Sequence, residues 1–265
     1  MKAVVALGIV ALFSFLSRPA AADEVAPAFE SADLRAYAAS AMTALPKPTG
    51  TYVAFDPEVT DAFAQVACDD DGDPVVVISA AMLQLVAQVM RVARSRPEAL
   101  ASYASYLAKN QAPGKRLLPP PPGTFTTTDG GTLRAEDAIG ALSFVLAREV
   151  EHLRARDLVC PHPTATKESG DAVWTAAERS AAAATARTVY PGQAAVRDEA
   201  ALNDLVDTAG VESVKLDVLA FFAAFEAEHA KAPARVAPSY LTTHPGSAAR
   251  LAAAKAVLAK RGASL

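Results

Sequence analysis

The sequence feature that most constrains the fold is a long apolar helix pattern in the middle of the chain. The pattern begins near Ala135-Glu136-Asp137, where acidic side chains stand in the first turn, and it continues to about Leu158. Its apolar side chains cover several faces: Ile139, Leu142, Phe144, Val145, Leu146 and Val150. A helix that is apolar on most sides is buried on most sides. The sequence therefore predicts a central helix around which the other elements pack.

Shorter patterns flank this helix. Helical spacing covers residues 33–45, 80–95, 97–110, 171–188, 193–209, 211–231 and 246–261, and β-rich runs cover residues 51–55 and 74–79. The run at 74–79 is continuously apolar, which favours an inner strand. Residues 111–133 form an irregular, Pro-rich stretch, and a loop of this length is usually functional or mobile. Together the patterns predict an α+β fold that is mostly α, with a small sheet near the N-terminus.

The N-terminus has the pattern of a secretory signal. Lys2 supplies the positive charge, Ala3 to Leu16 form an apolar run of about 14 residues, and Ala20-Ala21-Ala22 form a small-residue cleavage site. The run is shorter than the roughly 20 residues that a membrane-spanning helix needs. We therefore expect residues 1–22 to be a cleaved signal peptide. The mature protein is then exported, to the periplasm or outside the cell, with no stable membrane span.

Charge and cysteine content narrow the classes of partner and compartment. The chain carries a formal net charge of −4, and removing residues 1–22 takes away two bases and no acids. Because the basic side chains do not cluster on one face or in a tail, nucleic acid is not an expected partner. The two cysteines, Cys68 and Cys160, are a disulfide candidate in an oxidising compartment, and the alternative is two buried thiols.

The second half of the central helix carries a zinc-protease motif that lacks its first ligand. The active motif reads His-Glu-x-x-His: two histidines on one helix face bind zinc, and the glutamate activates the metal-bound water. Here Arg148 stands in the first position, while Glu149 and His152 hold the second and fifth. A guanidinium has no lone pair to offer a cation, so Arg148 cannot be a ligand. The sequence therefore indicates a protease, a former protease, or neither.

Four stretches of the chain match one metallopeptidase pattern. Residues 60–64 and 74–83 correspond to an Asn-Ala-Phe-Ala segment with the strand and helix start that follow it. Residues 136–157 correspond to the motif helix, residues 198–210 to a Glu-x-x-Ala-Asp helix, and residues 238–245, followed by Arg250, to a Leu-Ser-Thr-His-Pro loop. In this order, over about 200 residues, they resemble the HtpX and CAAX-prenyl-protease type zinc metallopeptidases, peptidase family M-forty-eight.

The resemblance implies a zincin-like metallopeptidase fold around a central buried helix. It implies a domain organisation of a signal peptide (1–22), an N-terminal helical segment (23–47) and a metallopeptidase-like domain (48–262) with a Pro-rich insertion at about 111–133. It also implies a third metal ligand, a glutamate four residues before an acid that orients a metal-binding histidine. One register puts this ligand at Ala195 and the acid at Glu199, and the other puts the ligand at Glu199 and its partner at Asn203.

The candidate site residues each have a functional and a structural interpretation. Glu149 is either a general base or an ion-pair partner of Arg148. His152 is either a metal ligand or a hydrogen-bonded core histidine, and His244 either lies close to a metal or simply belongs to a turn before a helix. We expect Arg148 to point into the former metal site and to pair with a carboxylate there, Glu199 first, because an unpaired buried guanidinium costs several kcal/mol.

Three functions remain open at this stage. The first is a non-catalytic pseudoprotease that binds or scaffolds another envelope or secreted protein or peptide. The second is an active zinc-dependent endopeptidase, a hydrolase in which His152, Glu199 and His244 bind the metal and Glu149 is the base. The third is an unrelated exported helical protein. We expect no cofactor in the first case and zinc in the second, because Arg148 and Ala195 stand at degenerate ligand positions.

Overall fold

A computed structural model describes residues 31–125, 132–161, 192–231 and 238–263. The elements in these ranges are α1 (Ser31–Ala44), β1 (Tyr52–Asp56), β2 (Ala64–Cys68), β3 (Pro74–Ser79), α2 (Ala80–Ser95), α3 (Ala99–Asn110), α4 (Ala135–Arg154), α5 (Ala194–Ala209), a 3-10 turn (Val211–Ser213), α6 (Asp217–His229), α7 (Ser239–Thr243) and α8 (Ser247–Lys260). The expected signal peptide and the predicted helix at 171–188 lie outside the described residues. The described part is α+β and mostly α, as predicted.

The three strands form one small sheet in the order β1-β3-β2. β3 pairs in parallel with β1, where Phe55 lies opposite Ile78, and antiparallel with β2, where Val66 lies opposite Val76. All six residues of β3 are buried, which confirms the predicted inner strand. The sequence did not predict β2, because its alanines, glutamine and cysteine have little β propensity.

α4 is the central helix of the core. It packs against α1 and α5 and lies across the sheet, and its residues from Leu146 through Leu153 are all buried. α1 contributes Leu34, Ala38 and Met42 to the same core, so the N-terminal helix is part of this packing unit. The helix is apolar on most sides, and this burial is what the sequence pattern predicted.

α4 ends four residues earlier than the pattern predicted. Arg156 has a φ of +60°, a left-handed conformation that reverses the chain, and the Asp157 N–H then donates to the carbonyl of His152 at 2.9 Å. The segment after this reversal is tied to the sheet, because Cys160 and Cys68 at the end of β2 form a disulfide with Cα atoms 5.5 Å apart. The chain therefore brings Asp157 back against the last turn of α4.

The remaining helices enclose the C-terminal half of α4. α5 packs against α4 and α8, and α6 packs against α3 and α8. The short α7 and the turn after it precede α8, and the Tyr240 N–H of α7 donates to the carbonyl of Ala62 at 3.4 Å. Tyr240 also contacts Arg148 of α4. None of the helices in the described ranges is both long and apolar enough to cross a membrane.

Candidate functional site

α4 carries three polar side chains into the middle of the core. Arg148 and His152 are four residues apart and share a helix face, and Glu149 stands beside them. Arg148 is 1% exposed, and Glu149 and His152 are 0% exposed. Buried charged groups of this kind persist only when they are paired. The partners of these side chains therefore decide what the site can do.

Arg148 is paired with an acid and a phenol. Its Nε forms an ion pair with Oδ1 of Asp198, its Nη1 donates to the Tyr240 hydroxyl, and its Cζ lies 5.2 Å from the centroid of the Tyr240 ring. Burial alone would lower the pKa of Arg148, but its contacts with Tyr240 and Asp198 raise that pKa above its ordinary value. Arg148 is therefore a permanent, internally compensated cation.

Asp198 is shared between two arginines. It accepts from Arg250 Nε at 2.6 Å and from Arg250 Nη2 at 3.0 Å, in addition to its ion pair with Arg148. Burial alone would raise the pKa of Asp198, but the charges of Arg148 and Arg250 hold it below its usual value. Arg250 Nη1 also donates to the carbonyl oxygen of His244 at 2.8 Å. One carboxylate thus joins α4, α5 and α8.

The structure corrects the expected role of Glu199 and Ala195. Both residues lie on the exposed side of α5, and Arg148 pairs with Asp198 where we expected Glu199. The buried face of α5 is formed by Ala194, Asp198, Ala201, Leu202 and Leu205. The buried acid of α5 is therefore Asp198, one residue before Glu199, and a step of one residue on a helix turns a side chain by about 100°. Neither Glu199 nor Ala195 stands at a ligand position.

His152 is oriented by a carboxylate. Its Nδ1 lies 2.8 Å from Oδ2 of Asp157, and Arg197 donates to both oxygens of Asp157 at 2.7 Å. The hydrogen bonds from Arg197 lower the pKa of Asp157, so this group is an ionised acceptor and His152 Nδ1 carries the proton. Burial lowers the pKa of His152, which is therefore neutral and has its lone pair on Nε2.

His244 reaches the same space from the turn after α7. Its ring stacks on Tyr240 with centroids 4.7 Å apart, and Tyr240 also stacks on Phe222 with centroids 4.2 Å apart. Its Nδ1 lies 2.8 Å from the Thr243 hydroxyl, and its Nε2 lies 3.3 Å from Oε1 of Glu149. Burial, followed by the charges of Arg148 and Arg250, places the pKa of His244 well below its usual value. The stacking on Tyr240 therefore holds the His244 ring facing Glu149, and the lowered pKa keeps this imidazole neutral.

Glu149, His152 and His244 together form a group that could hold a metal ion. Each offers one ligand atom, and these atoms lie within 4.8 Å of one another. This donor set differs from the one the resemblance implies. The resemblance places ligands at the positions of Arg148 and Glu199, and neither residue belongs to the group. Glu149, which the motif makes a base, does belong to it. The residues therefore do not fit the catalytic His-Glu-x-x-His set with its third glutamate ligand, although they do supply three donors.

The sequence identified part of this site. Glu149, His152 and His244 were candidates from their motifs, and the structure brings them together. The roles of Asp198, Tyr240 and Asp157 were missed. Asp198 and Tyr240 lie within the matched stretches, so their signal was present but assigned to a neighbouring residue or to none. Asp157 also lies in a matched stretch, but nothing in that stretch indicated its contact with His152, which depends on the reversal of the chain at Arg156.

No protein-family model, curated protein or solved structure matches this chain. The resemblance to peptidase family M-forty-eight therefore remains an expectation carried by the motif residues.

Proposed function

We propose that this chain is an exported, metallopeptidase-like protein that is not a catalyst and that acts by binding another envelope or secreted protein or peptide. The observation that carries the proposal is the state of Arg148. It occupies the first ligand position of the motif and is held there by Asp198 and Tyr240. In this proposal the motif helix has kept its place in a zincin-like core while its chemistry has been lost.

The donor inventory argues against catalysis. A catalytic zinc site uses three protein ligands and a bound water, and a separate base takes the proton from that water. With Arg148 unable to bind and Glu199 on the surface, the available donors are His152, His244 and Glu149. If Glu149 becomes the third ligand, it is no longer the base beside a metal-bound water. The site can therefore supply three ligands or a base, but not both.

Burial argues in the same direction. Glu149, His152 and His244 are each 0% exposed, and Arg148 is 1% exposed. A scissile peptide has to place its carbonyl carbon within about 3–3.5 Å of the attacking oxygen. Within the described residues, the burial of these side chains leaves no approach of that kind, which supports a role for this part of the core in structure.

One observation favours the active-protease alternative, and another argues against it. Its favourable observation is that His152 and His244 do converge. It also requires Glu199 as a ligand, and that side chain is exposed on the other side of α5. We therefore rank the non-catalytic function first.

Export and binding complete the proposal. The Cys68–Cys160 disulfide is of a kind that persists in oxidising compartments, which supports the interpretation of residues 1–22 as a signal peptide.

A cavity of about 210 Å³ opens between α2, α3 and α6, beside the first part of the Pro-rich insertion. Apolar side chains form much of its lining: Leu85, Leu107, Leu117, Phe221 and Phe225. Thr60, Asp61, Gln111 and Ser239 add polar groups. A concave site that combines apolar and polar lining is suited to the side chain of a bound peptide.

The catalytic part of the proposal is tested by hydrolysis. The mature protein is incubated with casein and with mixed peptides, in the presence of added zinc and separately of a chelator. We expect no chelator-sensitive cleavage. Glu149→Gln serves as the inactivating variant, and Glu199→Gln, which changes an exposed carboxylate, is its matched control. Cleavage that zinc supports, that Glu149→Gln abolishes and that Glu199→Gln retains would promote the active-protease alternative.

A further inference from the structure

We propose that Glu149, His152 and His244 bind one divalent transition-metal ion at a non-catalytic site that fastens the turn after α7 to α4. The proposal goes beyond the proposed function, which holds with or without a bound ion. It assigns Glu149 the role of ligand, where the motif would make it a base. It also differs from the expectation from the sequence, which was no cofactor for a non-catalytic protein and zinc for an active protease.

The spacing of the donors suits a small transition-metal ion. Ligand bonds of about 2.0–2.1 Å at tetrahedral angles place neighbouring ligand atoms about 3.3–3.4 Å apart. His244 Nε2 and Glu149 Oε1 are 3.3 Å apart, and all three ligand atoms fall within 4.8 Å of one another. An approach of at most about 1.5 Å between the most distant donors, which small side-chain rotations can supply, closes the set around one ion.

The orientation of His152 is an independent observation. A metal-binding histidine nearly always donates its other ring N–H to a carboxylate or carbonyl, and this fixes the tautomer that presents a lone pair to the metal. Asp157 does this for His152 at 2.8 Å, and Arg197 holds Asp157 in place with two hydrogen bonds of 2.7 Å. The supporting contacts of a ligand are therefore built, and they come from a separate turn and from α5.

His244 has a comparable support. The Thr243 hydroxyl lies 2.8 Å from His244 Nδ1 and also within hydrogen-bond distance of two backbone carbonyls, those of Ser239 at 3.2 Å and Tyr240 at 3.1 Å. When the hydroxyl donates to a carbonyl, it accepts from the Nδ1–H of His244, and the lone pair then stands on Nε2. Both imidazoles can thus present Nε2 towards Glu149.

The donor chemistry selects the class of metal. Two imidazole nitrogens with one carboxylate oxygen suit Zn²⁺, Co²⁺, Ni²⁺ or Cu²⁺, whereas Ca²⁺ and Mg²⁺ require sets made mainly of oxygen. Such an ion would join α4 to the turn after α7. It would do so beside the Arg148–Asp198 pair, which joins α4 to α5.

The nearby positive charges limit the affinity of this site for a metal ion. Asp198 lies between Arg148 and Arg250, so its charge is already compensated, and Glu149 is the carboxylate that faces the ion. Removing the charge of Arg148 should therefore strengthen metal binding. This dependence on a residue that does not touch the ion is a signature that a chance surface site would lack.

The test uses the mature, untagged protein after treatment with chelator. Zn²⁺ binding is measured by calorimetry with a competing chelator, and Co²⁺ is added separately so that its visible absorption reports the geometry of bound metal. We expect one ion per chain and a Co²⁺ spectrum of low coordination number with nitrogen and oxygen ligands. His152→Asn, His244→Asn and Glu149→Gln should each weaken binding by about 100-fold or more. His229→Gln, which changes a histidine outside the donor group, should leave it unchanged.

Asp157→Asn keeps the test decisive if the core variants fail to fold. Asp157 is a positioning residue at the margin of the core, so its variant should fold, retain one site and bind zinc about 10–100-fold more weakly. Absence of binding by the wild type at 100-fold excess of zinc would overturn the proposal. So would equal affinities of wild type, His152→Asn and Asp157→Asn. Peptide hydrolysis by the metal-loaded protein would instead contradict the proposed function, which separates the two failures.

Discussion

Arg148 and Asp198 form a buried ion pair that joins α4 to α5 at the position where the motif would place a metal ligand. Arg250 donates to both oxygens of the same carboxylate, so that three helices meet at Asp198. Buried pairs of this kind offset a large desolvation cost only while every partner is present. The pair is therefore a point at which single substitutions have large effects.

Replacing Asp198 with asparagine should strongly destabilise the fold. Asp198→Asn leaves the charges of Arg148 and Arg250 buried without a counter-ion, and we expect a loss of about 3–5 kcal/mol in the free energy of unfolding. Glu199→Gln changes the exposed neighbour and should stay within about 0.5 kcal/mol of the wild type. Urea unfolding at pH 7 measures both. Equal losses for the two variants would show that Asp198 is not the buried partner.

The contribution of Asp198 should vanish in acid. The charges of Arg148 and Arg250 depress its folded-state pKa below the unfolded value of about 3.9. A depressed carboxyl pKa stabilises the fold above the unfolded pKa, and this stabilisation is lost as the pH falls through the folded pKa. The difference in unfolding free energy between wild type and Asp198→Asn should therefore be constant from pH 7 to 5 and narrow below about pH 4. A difference that widens in acid would contradict the assignment.

The disulfide should make a measurable contribution to stability. Cys68 and Cys160 are separated by 92 residues, and closing a loop of that size typically stabilises a fold by about 2–5 kcal/mol. We expect reductant to lower the urea midpoint of the wild type. The Cys68→Ser, Cys160→Ser double variant should unfold at the lower midpoint with or without reductant. Identical midpoints for oxidised and reduced wild type would mean that the bond does not form.

Substitutions of Arg148 should separate the effect of charge from that of an added ligand. Arg148→Gln removes the positive charge and should tighten zinc binding by about tenfold. Arg148→His also adds an imidazole four residues before His152, and we expect at least about a further tenfold. Chelator-competition titration compares the two. Adding Ala195→Glu to Arg148→His should change nothing, because Ala195 is exposed. Tighter zinc binding on addition of Ala195→Glu would show that residue 195 reaches the metal, contrary to the structure.

The fold was largely predictable because its strongest patterns are local. The apolar faces of α2 and α4 and the apolar run of β3 each specify an element by periodicity alone. β2 could not be found in this way, since it is a strand only because it pairs with β3. The end of α4 was also missed, because a left-handed arginine at 156 has no sequence signal comparable to glycine.

The sequence predicted that Arg148 would pair with a carboxylate, but it predicted the wrong carboxylate. A buried guanidinium needs a carboxylate, and this physical requirement correctly predicted that Arg148 would be paired. The choice of Glu199 failed because adjacent acids at 198 and 199 point about 100° apart on a helix, and spacing from a distant marker could not distinguish them. The convergence of His244 with Glu149 depends on ring stacking on Tyr240, which is a tertiary contact.

The central proposal is that Arg148, held by Asp198, stands in the place of a catalytic ligand, and that Glu149 serves as a ligand and not as a base. Anomalous diffraction from zinc-soaked crystals of the mature protein tests this claim most directly. We predict that the Arg148 guanidinium contacts Asp198 and Tyr240, and that any anomalous peak is bonded directly to Glu149, His152 and His244. A structure with Arg148 turned away from Asp198, and with Glu149 bound to a water on a metal held by other ligands, would contradict the account.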